Sequence, residues 1–124
     1  MTADELLAHA DEVSKKAYAP YSKYLVGAAV LTRDGRVFAG ANVENAAYPL
    51  GICAERSAIA TAASEGLRPG DMEAIAITAS PCGGCRQWLH EWRFDRVWFR
   101  RADGSIAEYA ADALLPDTWD PPER

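Results

Sequence analysis

Three cysteines and one glutamate stand close together in two short segments of the chain. Cys53 stands two residues before Glu55, and two glycines separate Cys82 from Cys85 in the sequence Pro-Cys-Gly-Gly-Cys. Cysteines at positions i and i+3 of a helix's first turn lie on one side of it and can bind the same metal ion. Because thiolates favour zinc over harder metals, the pattern predicts one zinc ion held by Cys53, Cys82 and Cys85.

The number of ligands decides which kind of zinc site this is. A structural site is closed by four protein ligands, whereas a catalytic site has three and leaves a position open for water. The chain has no fourth cysteine, and its only histidines are His9 and His90. His90 is turned to another side of the helix from Cys85, whereas spacing alone does not exclude His9. The count favours a catalytic site, and a closed structural site is the alternative.

Glu55 is the candidate proton shuttle. It would take a proton from the zinc-activated water and deliver it to a ring nitrogen and then to a leaving amine. Positions i and i+2 do not share a helix face, so Cys53 and Glu55 converge only if the first turn of the helix points at the site. Arg56 is placed to donate to the cysteine sulfurs, with Arg86 a second candidate for that role. An ordinary helix-surface cation is the alternative for Arg56.

Hydrophobic patterning predicts the element order αββαβαββα around these residues. Helices are predicted over residues 3–17, 53–64, 82–92 and 109–115, and strands over residues 24–31, 37–40, 74–79, 96–100 and 105–108. This order predicts one α/β domain over residues 1–124, a three-layer αβα arrangement with a mixed five-stranded sheet and helices on both faces. The proline-containing residues 120–124 are expected to be loose.

Composition narrows the classes of partner. The net charge of −5 and the pI of about 5.0 disfavour broad binding to nucleic acid or to anionic membranes. The chain lacks an apolar run long enough to span a bilayer, and its acidic amphipathic N-terminus is unlike a secretory signal. An odd number of clustered cysteines fits zinc ligands in a reduced cytoplasmic protein better than a disulfide framework.

Three other functions remain as alternatives to zinc catalysis on a small molecule. Residues 93–101 are basic with interleaved aromatics, as in single-strand binders, although surface arginines flanking a strand are the plainer interpretation. Cys82 and Cys85 also form a Cys-x-x-Cys pair of the kind that redox proteins use, but a redox function leaves Cys53 and Glu55 unexplained. A noncatalytic zinc-stabilised module likewise has no use for Glu55.

Five motifs together resemble the small zinc-dependent cytidine deaminases of pyrimidine salvage, which are homotetramers of short subunits. The likeness covers nearly the whole chain and is carried by residues 19–29, 42–48, 53–56, 80–87 and 114–116. It implies a cytidine deaminase-like fold with one zinc ion per subunit. It also implies hydrolysis of cytidine and deoxycytidine to the uridine products and ammonia.

The resemblance also implies roles for individual residues. Asn42 and Glu44 would hold the ribose hydroxyls, and Tyr24 would flank the base at a position where the family usually has Phe. Ala54 would offer backbone groups to the base. Trp119 would reach a neighbouring subunit's site and stack on the base, so that active sites lie at the interfaces of a homotetramer.

One departure from the family concerns the base pocket. The strand ending at Ala79 runs directly into Ser80, where the family usually has a longer loop that helps to wall this pocket. The zinc chemistry is unaffected, but a more open pocket could admit other substrates. A deaminase of the same fold acting on another amino-pyrimidine, amino-heterocycle or modified nucleoside is therefore the alternative.

Overall fold

A five-stranded sheet forms the middle layer of the computed structural model, which describes residues 1–121. The helices are α1 (Ala3–Ser14), α2 (Ala54–Ser64) and α3 (Gly83–Glu91), and the strands are β1 (Gly27–Thr32), β2 (Val37–Ala41), β3 (Met72–Ile77), β4 (Arg96–Arg100) and β5 (Ile106–Tyr109). The strand order is β2-β1-β3-β4-β5. β3 and β4 pair in parallel and the other neighbours are antiparallel, which confirms the predicted mixed sheet.

Two apolar cores, one on each face of the sheet, confirm the three-layer arrangement. On one face, α1 buries Leu6, Leu7 and Ala10 against the sheet and Trp98. On the other face, a larger core includes Ile59 of α2 and residues of α3, β3 and β4. Because β1 lies between the two cores, all six of its residues are buried, which accounts for its nearly continuous apolar sequence.

Two glycines allow the helices to approach the sheet closely. A Cβ atom on Gly27 would lie 1.9 Å from the carbonyl oxygen of Ala10 in α1. A Cβ atom on Gly40 would lie 2.4 Å from the backbone nitrogen of Ala58 in α2. Since α2 begins at the cysteine-glutamate segment, the contact at Gly40 fixes the height of that segment above the sheet.

Several predicted boundaries are wrong. α1 starts at the capping box formed by Thr2 and Glu5, as the sequence indicates, but it ends at Ser14 instead of residue 17. β1 starts at Gly27 instead of residue 24. The reason is that the side chain of Asn42, in the loop after β2, accepts a hydrogen bond from the backbone N–H of Val26. The predicted helix over residues 109–115 is wrong because Tyr109 pairs with β4 and only a 3₁₀ turn, Ala111–Leu114, follows.

Predictions that extend to the C-terminus are only partly covered. Residues 122–124, which belong to the segment expected to be loose, lie outside the described residues, and the single domain over residues 1–124 stays a prediction. Within residues 1–121, no helix has the length and apolar character needed to cross a membrane.

Candidate zinc centre and active site

The N-termini of α2 and α3 bring the three cysteines together. Cys53 is the N-cap residue of α2 and Cys82 is that of α3, both with extended backbone angles. Cys85 lies on the first turn of α3 and is fully buried. The three sulfur atoms lie within 4.8 Å of one another. Unpaired N–H groups and the positive ends of two helix dipoles favour thiolates at this place.

The pKa values of the clustered thiols suit a site for a cation. A hydrogen bond from the Cys85 thiol lowers the pKa of Cys53 to about 6, whereas donating this hydrogen bond, together with burial, raises the pKa of Cys85. Three thiolates so close together require a positive charge among them, which a bound zinc ion would supply.

The ligand group has the composition of an open zinc site. Among residues 1–121, the side chains placed to hold one ion together are the three cysteines, without a histidine or a carboxylate. His9 is exposed on α1, which packs against the other face of the sheet. The structure therefore gives no support to a site closed by His9. Three soft ligands without a fourth fit a zinc ion that keeps a position for water.

Glu55 is buried beside this cluster, with 4% of its surface exposed. Burial raises the pKa of Glu55 above its ordinary value. The helical spacing rule does not separate Glu55 from Cys53, because Cys53 precedes the helical turn in extended conformation. A carboxyl group with a raised pKa is suited to exchange protons with a substrate.

Arg56 contacts the cluster from the other side. Its guanidinium group donates a hydrogen bond to Cys85 and lies 5.9 Å from the centre of the Trp88 ring. Its Nε is buried without a hydrogen-bond partner in the described chain. A Cβ atom on Gly84 would lie 2.4 Å from the Nη2 of Arg56, whereas one on Gly83 would meet no atom within 4 Å. Gly84 therefore provides the space in which Arg56 reaches Cys85.

Arg86, the second candidate donor, has a different set of contacts. Its Nε donates to the carbonyl oxygen of Pro81 at 3.0 Å, and its Nη1 donates to that of Leu114 at 3.2 Å. The side chain thus ties the turn before Cys82 to the last 3₁₀ turn of the chain. Arg86 therefore positions Cys82 through the backbone of Pro81.

Asn42 holds the segment that precedes β1. Its Oδ1 accepts from the backbone N–H of Val26 at 2.9 Å, and its Nδ2 donates to the carbonyl oxygen of Tyr24 at 2.9 Å. Tyr24 itself is 62% exposed. The amide still has a second N–H and a second lone pair for a ligand.

Glu44, two residues after Asn42, binds the chain that leads to β1 at Tyr21 and Ser22. Its Oε1 accepts from the backbone N–H groups of Tyr21 and Ser22 at 3.0 and 3.1 Å, and its Oε2 accepts from the Ser22 hydroxyl. The hydrogen bonds from Ser22 lower the pKa of Glu44 and keep it ionised. A surface cavity of about 290 Å³ beside it is lined by Tyr21, Ser22, Glu44, Asn45, Tyr48 and Gly51.

A short β-bridge joins the polar loop, which carries Asn42 and Glu44, to the cysteine cluster. Val43 and Ile52 exchange two backbone hydrogen bonds of 3.0 and 2.9 Å, and Ile52 immediately precedes the first cysteine. Ala54 is buried at the first position of α2. Trp119 is 69% exposed in the C-terminal segment and does not line the cavity beside Glu44. The structure thus unites the cysteines, Glu55 and Arg56, places the polar loop next to them, and leaves Trp119 on the surface.

Sequence reasoning missed some contacts that shape the site. Tyr21 and Ser22 bind Glu44, and the only signal for them was their place in one of the five motifs. No sequence pattern indicates that Arg56 packs against Gly84. These residues are far apart in the sequence and meet only when two helix termini converge.

Comparisons with known proteins agree with this geometry. Residues 1–101 match the family model for the cytidine and deoxycytidylate deaminase zinc-binding region. A cytidine deaminase from Halalkalibacterium halodurans is 43% identical over 127 residues, covering 96% of this chain and 95% of the relative. A crystal structure of cytidine deaminase from Burkholderia pseudomallei is 43% identical with a TM-score of 0.90, covering 96% of this chain and 100% of that one.

A more distant solved structure shares the same fold. Cytidine deaminase from Mycobacterium tuberculosis is 34% identical with a TM-score of 0.83, covering 97% of this chain and 98% of that one. The matches extend over the sheet, both cysteine-bearing helices and the loop that carries Glu44. The chain therefore belongs to the family of zinc-dependent cytidine and deoxycytidylate deaminases.

Proposed function

We propose that this protein hydrolyses cytidine and deoxycytidine to uridine and deoxyuridine with release of ammonia. The observation that carries the proposal is the buried Glu55 beside three clustered cysteine sulfurs. It is joined by the similarity to cytidine deaminases over nearly the whole chain.

The chemistry follows from the positions of these side chains. Cys53, Cys82 and Cys85 would hold a zinc ion, which when bound lowers the pKa of a water molecule toward neutrality. Glu55 takes a proton from the attacking water and delivers it to the N3 atom of the pyrimidine. The water oxygen bonds to C4, and Glu55 then moves the remaining proton of this hydroxyl to the amine on C4, so that the C4–N bond breaks, a C4=O bond forms and ammonia leaves. The hydrogen bond from Arg56 to Cys85 reduces the negative charge that three thiolates place on the site.

The polar loop would orient the nucleoside. Asn42 and Glu44 bind the ribose hydroxyls with the hydrogen-bonding capacity that their contacts to residues 21–26 leave unused. Tyr24 flanks the base, and the backbone of Ala54 contacts its polar edge. Because the loop is bonded to Ile52, the sugar and the reacting carbon are held at a fixed separation.

The active assembly is proposed to be a homotetramer with sites at subunit interfaces, without nucleic acid or membrane partners. Large apolar residues between 43% and 73% exposed gather on the segments around the cavity, namely Tyr18, Tyr21, Tyr24, Leu25, Val43, Tyr48, Leu50 and Ile52. Contiguous apolar surface of this kind marks protein interfaces. Trp119, also exposed, would stack on the base in a neighbouring subunit. The three free cysteines favour a reducing compartment, and we place the enzyme in the cytoplasm.

Ultraviolet absorbance of cytidine, measured with wild-type protein and Glu55→Gln at equal zinc content, tests this function. We expect turnover by the wild type and a loss of about 10²- to 10⁴-fold in the variant, because its amide cannot carry the proton. The cytidine assignment fails if the zinc-loaded wild type leaves cytidine unchanged.

A second substrate class has one observation in its favour. Only residues 78–80 separate the end of β3 from Pro81, so this edge of the base pocket is short. If cytidine is not converted, a panel of other amino-pyrimidines, amino-heterocycles and modified nucleosides is the next assay. Conversion of one of these in place of cytidine would identify a deaminase of the same fold with another substrate.

A further inference from the structure

His90 stands between two carboxylates at the last turn of α3. Its Nδ1 lies 3.0 Å from an oxygen of Asp112, and its Nε2 lies 2.9 Å from an oxygen of Asp120. Ionised carboxylates only accept hydrogen bonds, and a neutral imidazole has a single N–H to donate. Both contacts can therefore form together only when the ring is protonated. With a side chain only 15% exposed, His90 has little water available as a substitute partner.

The contact with Asp120 is the polar attachment of the C-terminal segment, defined as residues 116–121. Within the described part of the chain, these residues make one hydrogen-bonded contact with the rest of the protein, in which Asp120 accepts from His90. Within one subunit, the neighbouring residue Trp119 is 69% exposed and has little packing to hold it in place. The orientation of Trp119 thus depends on an ion pair at the adjacent residue.

We propose that protonated His90 is a clamp that fastens the C-terminal segment to α3, positions Trp119 and releases both when the ring loses its proton. Asp112, on the preceding 3₁₀ turn, orients the ring by fixing its other nitrogen. His90 is a positioning residue that acts through Asp120 on Trp119. Its effect on turnover rests on the proposed function, whereas its effect on the segment does not.

The charges around His90 determine the direction of the switch. Asp112 faces the ring from the 3₁₀ turn and Asp120 faces it from the C-terminal segment, while Glu91 and Arg93 of its own helix end line the same surface cavity. Arg93 opposes protonation and the carboxylates favour it. The hydrogen bond with Asp120, followed by that with Asp112, raises the pKa of His90 above 6.5. The clamp is therefore complete below pH 6.5 and is lost as the pH rises through the higher pKa of the docked state.

Fluorine NMR of the full-length, zinc-loaded protein labelled with 5-fluorotryptophan tests the clamp. Trp119→Phe assigns the Trp119 signal among the four tryptophans, and the imidazole signal of His90 is followed in the same pH titration. We expect the Trp119 signal to change with the midpoint of His90. We also expect His90→Gln and Asp120→Asn to abolish this step, and Asp120→Asn to lower the His90 midpoint.

His9 provides the matched control, because it is the only other histidine and is exposed on α1. His9→Gln should leave the Trp119 step unchanged. The clamp is refuted by a Trp119 signal that does not change at the His90 midpoint. It is equally refuted by a His90 midpoint that Asp120→Asn does not move.

Assays of cytidine turnover on the same samples separate this inference from the proposed function. If cytidine is converted, we expect His90→Gln to raise KM several-fold and to change kcat less, since a loosened Trp119 weakens substrate contacts before chemistry. An unchanged KM in His90→Gln, with the Trp119 step present in the wild type and lost in this variant, would overturn the link to the substrate but retain the clamp. If cytidine is not converted while Trp119 follows His90, the proposed function fails and the clamp stands.

Discussion

The two ends of α3 bind groups of opposite charge, and they hold them very differently. The N-terminal end collects cysteine thiolates beside the positive pole of the helix dipole, and the C-terminal end carries a histidine between two aspartates beside the negative pole. At the N-terminus a second helix, a buried glutamate and an arginine share in the arrangement. At the C-terminal end of α3, the polar contacts described above join the His90 ring to two exposed aspartates.

This difference separates what is rigid in the site from what can respond to conditions. The cysteines are fixed by helix caps and by a core that forms whenever the sheet folds, so their geometry changes only if the fold changes. The clamp depends on one proton and on aspartate side chains that are 84% and 63% exposed. A change of pH or a single substitution in the clamp should therefore alter the C-terminal end of α3 while the N-terminal end is preserved.

The largest expected effect comes from Cys85→Ser, which acts on the rigid end. A serine hydroxyl is a poor zinc ligand, and the described residues offer no spare histidine or carboxylate beside the cluster. We expect zinc content to fall to near zero and cytidine turnover to fall to background. Zinc analysis and the ultraviolet assay on gel-filtered protein measure both. Full zinc occupancy in the variant would show that two cysteines suffice, contrary to the role assigned to Cys85.

Gly84→Ala should cause the next largest loss, and Gly83→Ala is its matched control. The new methyl group at residue 84 would lie 2.4 Å from the Nη2 of Arg56, so Arg56 must leave Cys85. Losing such a supporting contact typically costs about 10- to 100-fold in metal affinity or activity. The methyl group at residue 83 meets nothing within 4 Å and should change neither quantity appreciably.

The two glycine variants are compared by kcat/KM and by zinc retention against a competing chelator. Both add the same methyl group to the first turn of α3, so their effects on helix propensity nearly cancel. Equal activities for the two variants would show that Arg56 does not support the metal centre. That outcome would leave Arg56 as a surface cation, the alternative that the sequence also allowed.

The same contrast explains how far the sequence could predict this protein. The cysteine cluster was predictable because its ligand spacing is local and only three cysteines exist to be combined. The capping box of α1 is local as well. The start of β1 was predicted three residues too early, because Asn42 binds the backbone of Val26 from a distant loop. The contacts of His90 left no pattern, since its partners lie in irregular segments that only the folded chain brings to α3.

The smallest expected effect is on stability at the responsive end, and it should depend on pH. His90→Gln removes ion pairs with exposed aspartates, so the loss in the free energy of unfolding should be about 1 kcal/mol or less. The pKa of His90 is raised in the folded protein, so the clamp stabilises it fully below pH 6.5 and contributes progressively less as the pH rises through the folded-state pKa. The wild type should therefore exceed His90→Gln in stability at pH 6 and match it at pH 9. Urea titrations at both pH values and at one protein concentration measure this difference, with His9→Gln as the reference. A deficit of His90→Gln that is the same at both pH values would mean that the histidine contributes by packing and that its proton has no part in holding the C-terminal segment.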